Sequence, residues 1–237
     1  MQARVTPYDD LWRTAWGDMQ RLGPVHRHIR ADLVRVVSGL PGCTTILDVG
    51  CGAGDNLCTL AGLGRYQLSG VDVSAAALER ARQLVPTARF VELDVQRDAL
   101  AERFDLVISI QVVEHLLDDI AALQNIARMS AGYVFISTMS GRMRPSELTI
   151  GHVRNYSRLE LRRKLELAGL EVLDVYGWGF PFYSPLYRTV CEWLPSGPPT
   201  GRVGPIGRVV ADAIYQLYRL NWPRRGDVLS ALARQPR

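Results

Sequence analysis

Short apolar runs alternate along this chain with longer segments whose apolar positions recur every three or four residues. The short runs predict buried strands, and the longer period predicts amphipathic helices. This alternation is typical of a doubly wound α/β fold with a mostly parallel sheet. The seven predicted strands cover residues 45–49, 67–72, 88–93, 104–110, 131–138, 170–177 and 227–234. The predicted helices between them cover residues 55–63, 74–84, 117–129 and 157–168.

Two segments lie outside this alternation. Residues 8–38 predict an N-terminal helical cover in two pieces, divided at Gly23-Pro24, because proline can begin a helix but not continue one. Residues 179–226 form an insertion before the last strand, with an aromatic-rich start, a Pro/Gly-rich linker at 195–207 and a helical apolar stripe from Ile206 to Leu220. The insertion could be a lid over an apolar substrate, a dimer surface, or helices packed permanently on the sheet.

Length and composition predict one domain rather than two. With 237 residues and 47% hydrophobic content, the chain is long enough for a single sizeable core. In this interpretation the helical cover precedes a core at 40–178. The insertion and a final strand at 227–234 complete the same domain.

The first predicted strand ends in Asp48 and leads into a turn with glycines at positions 50, 52 and 54. Such a turn lets a cofactor approach bare backbone. A dinucleotide-binding fingerprint would place its third glycine at position 55, which is Asp55 here, and an aspartate at that helix end would repel a phosphate. The turn therefore favours a nucleotide-type cofactor without phosphate. The second strand ends at Asp72, where a ribose needs an acceptor for its two hydroxyls.

These residues belong to a series of blocks that resembles the class I S-adenosylmethionine-dependent methyltransferases, in their small-molecule branch. The blocks are LDVGCGAG at 47–54, GVDVS at 70–74, FVELDV at 90–95, FDLVISIQVVEHL at 104–116, YVFISTMS at 133–140 and GHVRNYSRLELRRKLELAGLEV at 151–172. The resemblance covers residues 40–178 and the final strand. It implies a Rossmann-like methyltransferase fold, S-adenosylmethionine as cofactor and S-adenosylhomocysteine as product.

The resemblance also implies a cofactor site at the ends of the first four strands. The matching positions are Asp48, Gly50, Cys51, Gly52, Asp72, Val73, Asp94, Val95, Ile110 and Gln111. By this resemblance Asp48 orients the ammonium group of the methionine moiety, Asp72 binds the ribose hydroxyls, and Asp94 accepts from the adenine amino group. For Asp72 and Asp94 the alternative is that each carboxylate caps the following helix.

The methyl group of a sulfonium is already activated, so catalysis requires alignment of a nucleophile and, for a hydroxyl, removal of its proton. His115 and His152 are the candidate bases, and each could instead be a packed or hydrogen-bonded histidine. Residues that could contact the acceptor are Tyr8, Trp12, His26, Arg154, Tyr156, Phe180, Phe182 and Tyr183.

No metal is predicted. Metal-dependent methylation of catechols needs clustered acids near the fourth and fifth strands, but the fifth strand ends in Ser137, Thr138, Met139 and Ser140. The four cysteines show no C-x-x-C pairing, so we expect them to be reduced thiols.

The net charge of +4 is carried almost entirely by arginine, with Lys164 the single lysine, which indicates a codon bias rather than a nucleic-acid surface. Residues 140–237 hold 15 basic and 8 acidic side chains, which permits an acidic substrate.

The sequence shows no membrane-spanning run and no signal peptide, so the cytoplasm is the predicted location. The stripe from Ile206 to Leu220 permits peripheral membrane contact, and the chain could be a monomer or a homodimer.

The predicted function is methyl transfer to a small molecule, most simply O-methylation of a secondary metabolite, sugar or lipid-like acceptor, with N- and C-transfer left open. An O-methyltransferase of quinone biosynthesis is the nearest alternative. An RNA or protein methyltransferase and a non-catalytic cofactor-binding subunit are alternatives from other classes. Binding of RNA would depend steeply on salt.

Overall fold

The computed structural model describes residues 12, 16, 18–193 and 203–236. Its strands form one seven-stranded sheet with the order β3-β2-β1-β4-β5-β7-β6, in which β7 is antiparallel to both neighbours and the other pairings are parallel. The strands are β1 Thr45–Val49, β2 Gln67–Asp72, β3 Arg89–Glu92, β4 Phe104–Ile110, β5 Ser130–Met139, β6 Glu171–Trp178 and β7 Val228–Arg234. The predicted mostly parallel, doubly wound α/β sheet is confirmed, and no strand end differs from its prediction by more than 1 residue.

The described helices are α1 Met19–Leu22, α2 Pro24–Ser38, α3 Asp55–Ala61, α4 Ala75–Leu84, α5 Asp119–Met129, α6 Pro145–Thr149, α7 Arg158–Leu167, α8 Arg188–Trp193 and α9 Pro205–Tyr218. Local chemistry fixes several of their starts. The side chains of Ser74, Asp118 and Ser157 each accept a hydrogen bond from a backbone amide in the first turn of the following helix. The short elements that the sequence did not predict include α6 and a 3-10 turn at Val113–His115.

Both faces of the sheet are covered, as a parallel sheet requires. Successive strand residues point to opposite faces, so Leu47 packs in one buried cluster and Ile46 in the other. Helices α5 and α7 cover the first face, and α2, α3 and α4 cover the second. The carboxyl ends of β1, β2, β4 and β5 meet at one edge, which is where open α/β sheets bind ligands.

The N-terminal cover is divided where the sequence predicted. Helix α1 ends at Leu22, and α2 begins with Pro24 in its first turn. Helix α2 buries Ile29, Leu33 and Val37 against the second face of the sheet.

The start of the insertion packs into the second core. Tyr183 is buried there, and its ring stacks 5.9 Å from Trp178. His28 of α2 stacks on Trp178 with ring centroids 4.6 Å apart and lies 6.2 Å from the ring of Tyr218. These contacts support the interpretation that the aromatic residues pack the insertion onto the sheet. Closure as a lid stays a prediction.

Helix α9 exposes the apolar stripe that the sequence placed on it. Ile206 is 81% exposed and Leu220 just beyond the helix is 65% exposed, and Tyr218 is the buried residue of this helix. The opposite side of α9 contacts α2, where Arg27 lies 2.6 Å from Asp212 and covers the ring of Tyr215. Within the described part of the chain, no helix has the length and apolar character needed to cross a membrane.

Candidate active site

The turn after β1 is built from glycines in the left-handed region. Gly50, Gly52 and Gly54 have φ of 74°, 52° and 85°, which other residues adopt at a cost. The amide of Gly50 donates to the Val71 carbonyl at 2.8 Å, which joins the turn to β2. A Cβ atom on Gly50 would lie 2.4 Å from Cγ2 of Val112, the residue before the 3-10 turn. The turn and the end of β4 are therefore in close contact.

Asp72 joins the end of β2 to this turn. Its Oδ2 accepts from the Gly52 amide at 2.8 Å and its Oδ1 from the Ser74 amide at 2.9 Å. The N-cap of α4 is Ser74 rather than Asp72, and Asp72 meets this helix only through the amide of the cap residue. A carboxylate has about four acceptor sites, so accepting from these two amides is compatible with accepting from ribose hydroxyls.

Asp48 has a fully buried carboxyl group beside the turn. Its Oδ2 accepts from Asn56 Nδ2 at 3.4 Å, and its Oδ1 has no hydrogen-bond partner among the described residues. Burial raises the pKa of Asp48 to about 7. A buried acceptor without a donor is costly, so the site fits a cationic or hydrogen-bonding ligand such as an ammonium group.

Gln111 follows β4 in an unusual backbone conformation. Its φ is 56°, which is uncommon for a residue with a side chain and recurs at functional sites. Its amide donates to the Ser137 carbonyl at 2.7 Å, and its buried Nε2 lacks a partner in the part of the chain that the structure describes. With buried Ile110 before it, Gln111 lies where the sequence predicted a wall of the cofactor pocket.

The residues that were predicted to contact adenine differ in their exposure and in their hydrogen bonds. Val73 is 50% exposed and available to pack on a ring. The carboxylate of Asp94 accepts from the Gln96 amide at 3.0 Å and pairs with Arg97 at 3.3 Å, so it stabilises the turn after β3, a described segment in which no helix begins. The carbonyl of buried Val95 accepts from Asn125.

Glu114, His115 and His152 come together after β4, and we call them the Glu-His-His cluster. One ligand-type atom from each lies within 4.8 Å of the others. The rings of His115 and His152 have centroids 4.6 Å apart. Glu114 is fully buried, and its Oε2 accepts from Thr138 Oγ1 at 2.7 Å.

Burial controls the protonation of this cluster. It raises the pKa of Glu114 to about 7. Burial, with the neighbouring His152, lowers the pKa of His115 to about 3. Burial also lowers the pKa of His152 to about 4, to which the charge of Arg188 contributes. Both imidazoles are neutral at pH 7, and an imidazole with so low a pKa is a weak general base.

Arg154 and Tyr156 have a different role from the acceptor contacts that were predicted. Arg154 donates to the Leu116 carbonyl and lies 3.1 Å from Asp119. Tyr156 is 1% exposed, and its hydroxyl donates to Asp119 at 2.6 Å. Lys164 also reaches Asp119 at 2.6 Å. These residues hold the His152 loop against the start of α5, and the buried Tyr156 has no surface left for a substrate.

Trp12 lies against the turn rather than in an acceptor pocket. A Cβ atom on Gly52 would come within 2.4 Å of Cζ2 of Trp12. Trp12 packs edge-on against Trp16 at 5.1 Å, and Trp16 lies 6.5 Å from the ring of His115. The N-terminal cover thus connects the turn with the Glu-His-His cluster.

The other residues that were predicted to contact the acceptor do not lie together in one pocket. Phe180 packs edge-on against Trp222 at 5.3 Å, and Phe182 and Tyr183 pack with the second core. His26 lies in the first turn of α2, beside Gly23. Tyr8 lies outside the described residues. For buried Tyr183 the predicted substrate contact is corrected to core packing.

Glu114, Thr138 and the Asp119 network are site residues that the sequence did not predict. Glu114 stands next to His115 in the VVEHL block, so it could have been found by asking what a buried carboxylate does there. Nothing local indicates that Thr138 or Asp119 would meet these residues.

Comparisons with known proteins show the family to which the chain belongs. A family model described as a methyltransferase domain matches residues 19–175. A probable S-adenosylmethionine-dependent methyltransferase of Mycolicibacterium smegmatis is 31% identical over 56% of this chain, and the match spans 54% of that protein's length. The ubiquinone biosynthesis O-methyltransferase of Thiobacillus denitrificans is 26% identical over 78% of this chain and 90% of its own. The N-methyltransferase NodS of Bradyrhizobium japonicum, solved with S-adenosylhomocysteine, has a TM-score of 0.61 at 20% identity and covers 93% of each chain.

Proposed function

The chain belongs to the class I S-adenosylmethionine-dependent methyltransferases, and from that premise we propose that it methylates an oxygen atom of a small-molecule acceptor. Secondary metabolites, sugars and lipid-like compounds are the proposed acceptor classes. The long match to an O-methyltransferase of ubiquinone biosynthesis supports transfer to oxygen, and a quinol-type acceptor is the nearest alternative.

One observation carries this proposal: the glycine turn, Asp48 and Asp72 converge at the carboxyl ends of β1 and β2. Buried Asp48 would hold the ammonium group of the methionine moiety, and Asp72 would accept from the ribose hydroxyls while it keeps the turn in place. S-adenosylmethionine, when bound, supplies a methyl group already activated for nucleophilic attack. The protein then has to orient the acceptor hydroxyl and exclude water.

The acceptor would enter beside the Glu-His-His cluster, because the end of β4 contacts the glycine turn through Val112. Val113 and His115 lie on the same short turn, and Trp16 of the N-terminal cover lies edge-on to the ring of His115 at 6.5 Å. We infer that His115 and His152 contact the acceptor hydroxyl or a group bound to it. Replacing either one should therefore reduce transfer more than cofactor binding.

Incubation of the full chain with methyl-labelled S-adenosylmethionine and matched acceptors tests the function. The panel contains phenols, catechols, quinols, sugars, carboxylic acids and the corresponding amines, and products are identified by mass spectrometry. Label on oxygen of a phenol, quinol or sugar supports the proposal, and label only on the matched amines contradicts it. Cofactor binding without transfer to any acceptor would favour the non-catalytic subunit, and transfer to RNA with a steep salt dependence would favour an RNA enzyme.

Binding of S-adenosylhomocysteine is expected to weaken as the pH falls below 7. Burial raises the pKa of Asp48 to about 7, and a cationic ammonium binds the ionised carboxylate, so binding releases a proton. Well below that pKa, affinity should fall roughly tenfold for each pH unit. Isothermal titration calorimetry between pH 5.5 and 8.5 measures this slope. The Asp48→Asn variant should bind more weakly with a flat profile, and an equally flat profile in the unchanged protein would contradict this role for Asp48.

We propose that the exposed stripe of α9 contacts an anionic membrane surface. Ile206, Val209 and Leu220 are exposed apolar residues, and exposed Arg208 and Arg219 lie close by in the sequence. Apolar side chains flanked by arginines are typical of helices that lie in a lipid interface.

Cosedimentation with phosphatidylglycerol vesicles is expected to show binding that the Val209→Glu variant reduces roughly tenfold, because a buried side chain of this size contributes about 1.5 kcal/mol. Leu167 is 69% exposed on α7, so Leu167→Glu is the matched control and should bind normally. The proposed membrane contact would be contradicted if the unchanged protein did not bind vesicles. It would also be contradicted if the protein formed a dimer that only Val209→Glu disrupts.

A further inference from the structure

We propose that the Glu-His-His cluster is a binding site for a divalent transition-metal ion, with Glu114, His115 and His152 as its protein ligands. Each of the three offers a ligand-type atom, and these atoms lie within 4.8 Å of one another. Ligand distances of about 2.0–2.2 Å require these atoms to move slightly closer together, which small rotations of the three side chains would achieve.

The backbone holds these side chains in place without a metal. Glu114 and His115 share the Val113–His115 turn, while His152 comes from the loop after α6. The amide of Val153 donates to the Glu114 carbonyl at 2.9 Å, and the His152 amide donates to the Glu147 carbonyl at 3.0 Å. The two segments are thus joined next to the proposed ligands. A site that is already assembled loses little conformational entropy when it binds an ion.

One polar atom of the cluster indicates a missing partner. Glu114 Oε1 is buried without a hydrogen-bond partner in the described part of the chain. His152 interacts with the side chain of Asn155, whose amide nitrogen donates to Glu147 at 3.0 Å. Buried polar atoms without partners are rare in native proteins, and an ion is one of the groups that satisfies them.

The surroundings resemble the outer shell of a metal site. Thr138 donates to the second oxygen of Glu114 at 2.7 Å, and His115 interacts with the backbone of Gly151. Hydrogen bonds of this kind orient ligands and are typical around bound metals. No metal is predicted from the sequence because no acids are clustered after the fifth strand, whereas this cluster joins the end of β4 to a loop that follows α6.

The donor set limits the choice of metal. Two imidazoles and one carboxylate favour Zn²⁺, Mn²⁺ or Fe²⁺ over Mg²⁺ and Ca²⁺, which prefer oxygen ligands. Three protein ligands leave a coordination position open, as in catalytic rather than structural sites. An acceptor hydroxyl bound at that position would have a lowered pKa, so it could lose its proton near neutral pH without a strong base.

Metal binding by the tag-free full chain tests this inference without any methyl acceptor, so its outcome is independent of the proposed O-methylation. After removal of metals with a chelator, titration with Zn²⁺ and Mn²⁺ should show one site per chain. The Glu114→Gln and His152→Gln variants should bind at least tenfold more weakly. His28 lies outside the cluster, so His28→Gln is the control and should bind like the unchanged protein. Circular dichroism establishes that each variant is folded.

X-ray absorption of the unchanged protein loaded with one equivalent of Zn²⁺ covers the case in which the variants do not fold. Two imidazole ligands plus oxygen donors are expected in the spectrum. Absence of a site in the unchanged protein, equal affinity in all variants, or a spectrum without imidazole scattering would each overturn the inference.

Discussion

Replacement of Asp72 with alanine is expected to weaken binding of S-adenosylhomocysteine by about 1.5–3 kcal/mol, roughly 10- to 150-fold. The ribose hydroxyls would lose a charged acceptor. The Gly52 amide would also lose its partner at 2.8 Å, so the turn would no longer be tied to β2. Both changes act on the cofactor rather than on the acceptor. Calorimetric titration of the folded variant measures the loss.

Asp105 provides the matched control for this experiment. Its carboxylate accepts from the amides and hydroxyls of Thr44 and Thr45, at the opposite edge of the sheet. Asp105→Ala should therefore lower stability yet leave cofactor affinity unchanged. An unchanged affinity in folded Asp72→Ala would remove Asp72 from the cofactor site. An equal loss in both variants would show that the effect is general destabilisation.

Replacement of Asp119 with alanine is expected to lower the free energy of unfolding by about 2–4 kcal/mol, since removing one member of a buried ionic network leaves its partners uncompensated. Asp119 is buried and accepts from Tyr156 and Lys164, both at 2.6 Å, with Arg154 at 3.1 Å. This expected loss of stability is smaller than the loss from breaking a fully buried ion pair, because the side chains of Lys164 and Arg154 are partly exposed. Urea unfolding followed by circular dichroism measures the change.

The pH dependence of this effect has a definite sign. Burial acts to raise the pKa of Asp119, but hydrogen bonds from Lys164 and Tyr156 and the charge of Arg154 together hold it below its ordinary value. A lowered pKa stabilises the folded state above the unfolded pKa, which is about 4, and this stabilisation is lost as the pH falls through the folded value. The difference between the unchanged protein and Asp119→Ala should therefore shrink in acid.

Glu102 is the control for the Asp119 variant, because its ion pair with Arg89 is exposed on both sides. Glu102→Ala should change the free energy of unfolding by less than about 0.5 kcal/mol. A similarly small change for Asp119→Ala would show that the network does not hold the His152 loop.

Several features of the site could be predicted because they depend on neighbouring residues. The glycines at 50, 52 and 54 adopt the left-handed backbone conformation that glycine favours. The acids at 48 and 72 lie at the ends of strands, and the alternation of strands and helices predicts that this edge of the sheet binds a ligand. The positions of Arg154 and Tyr156 could not be predicted in this way. Their partner Asp119 is distant in the sequence, and only the packing of α5 against the loop brings the three together.

The sequence by itself determined the strands, the glycine turn and the helix break at Gly23-Pro24, because apolar periodicity, glycine conformation and proline sterics act over a few residues. Only the tertiary structure decided that Glu114 and His152 share one cluster, and that the stripe from Ile206 to Leu220 faces outward. Periodicity shows that a helix has an apolar face without showing what covers it. Contacts between distant segments depend on how the helices pack on the sheet, which no local pattern encodes.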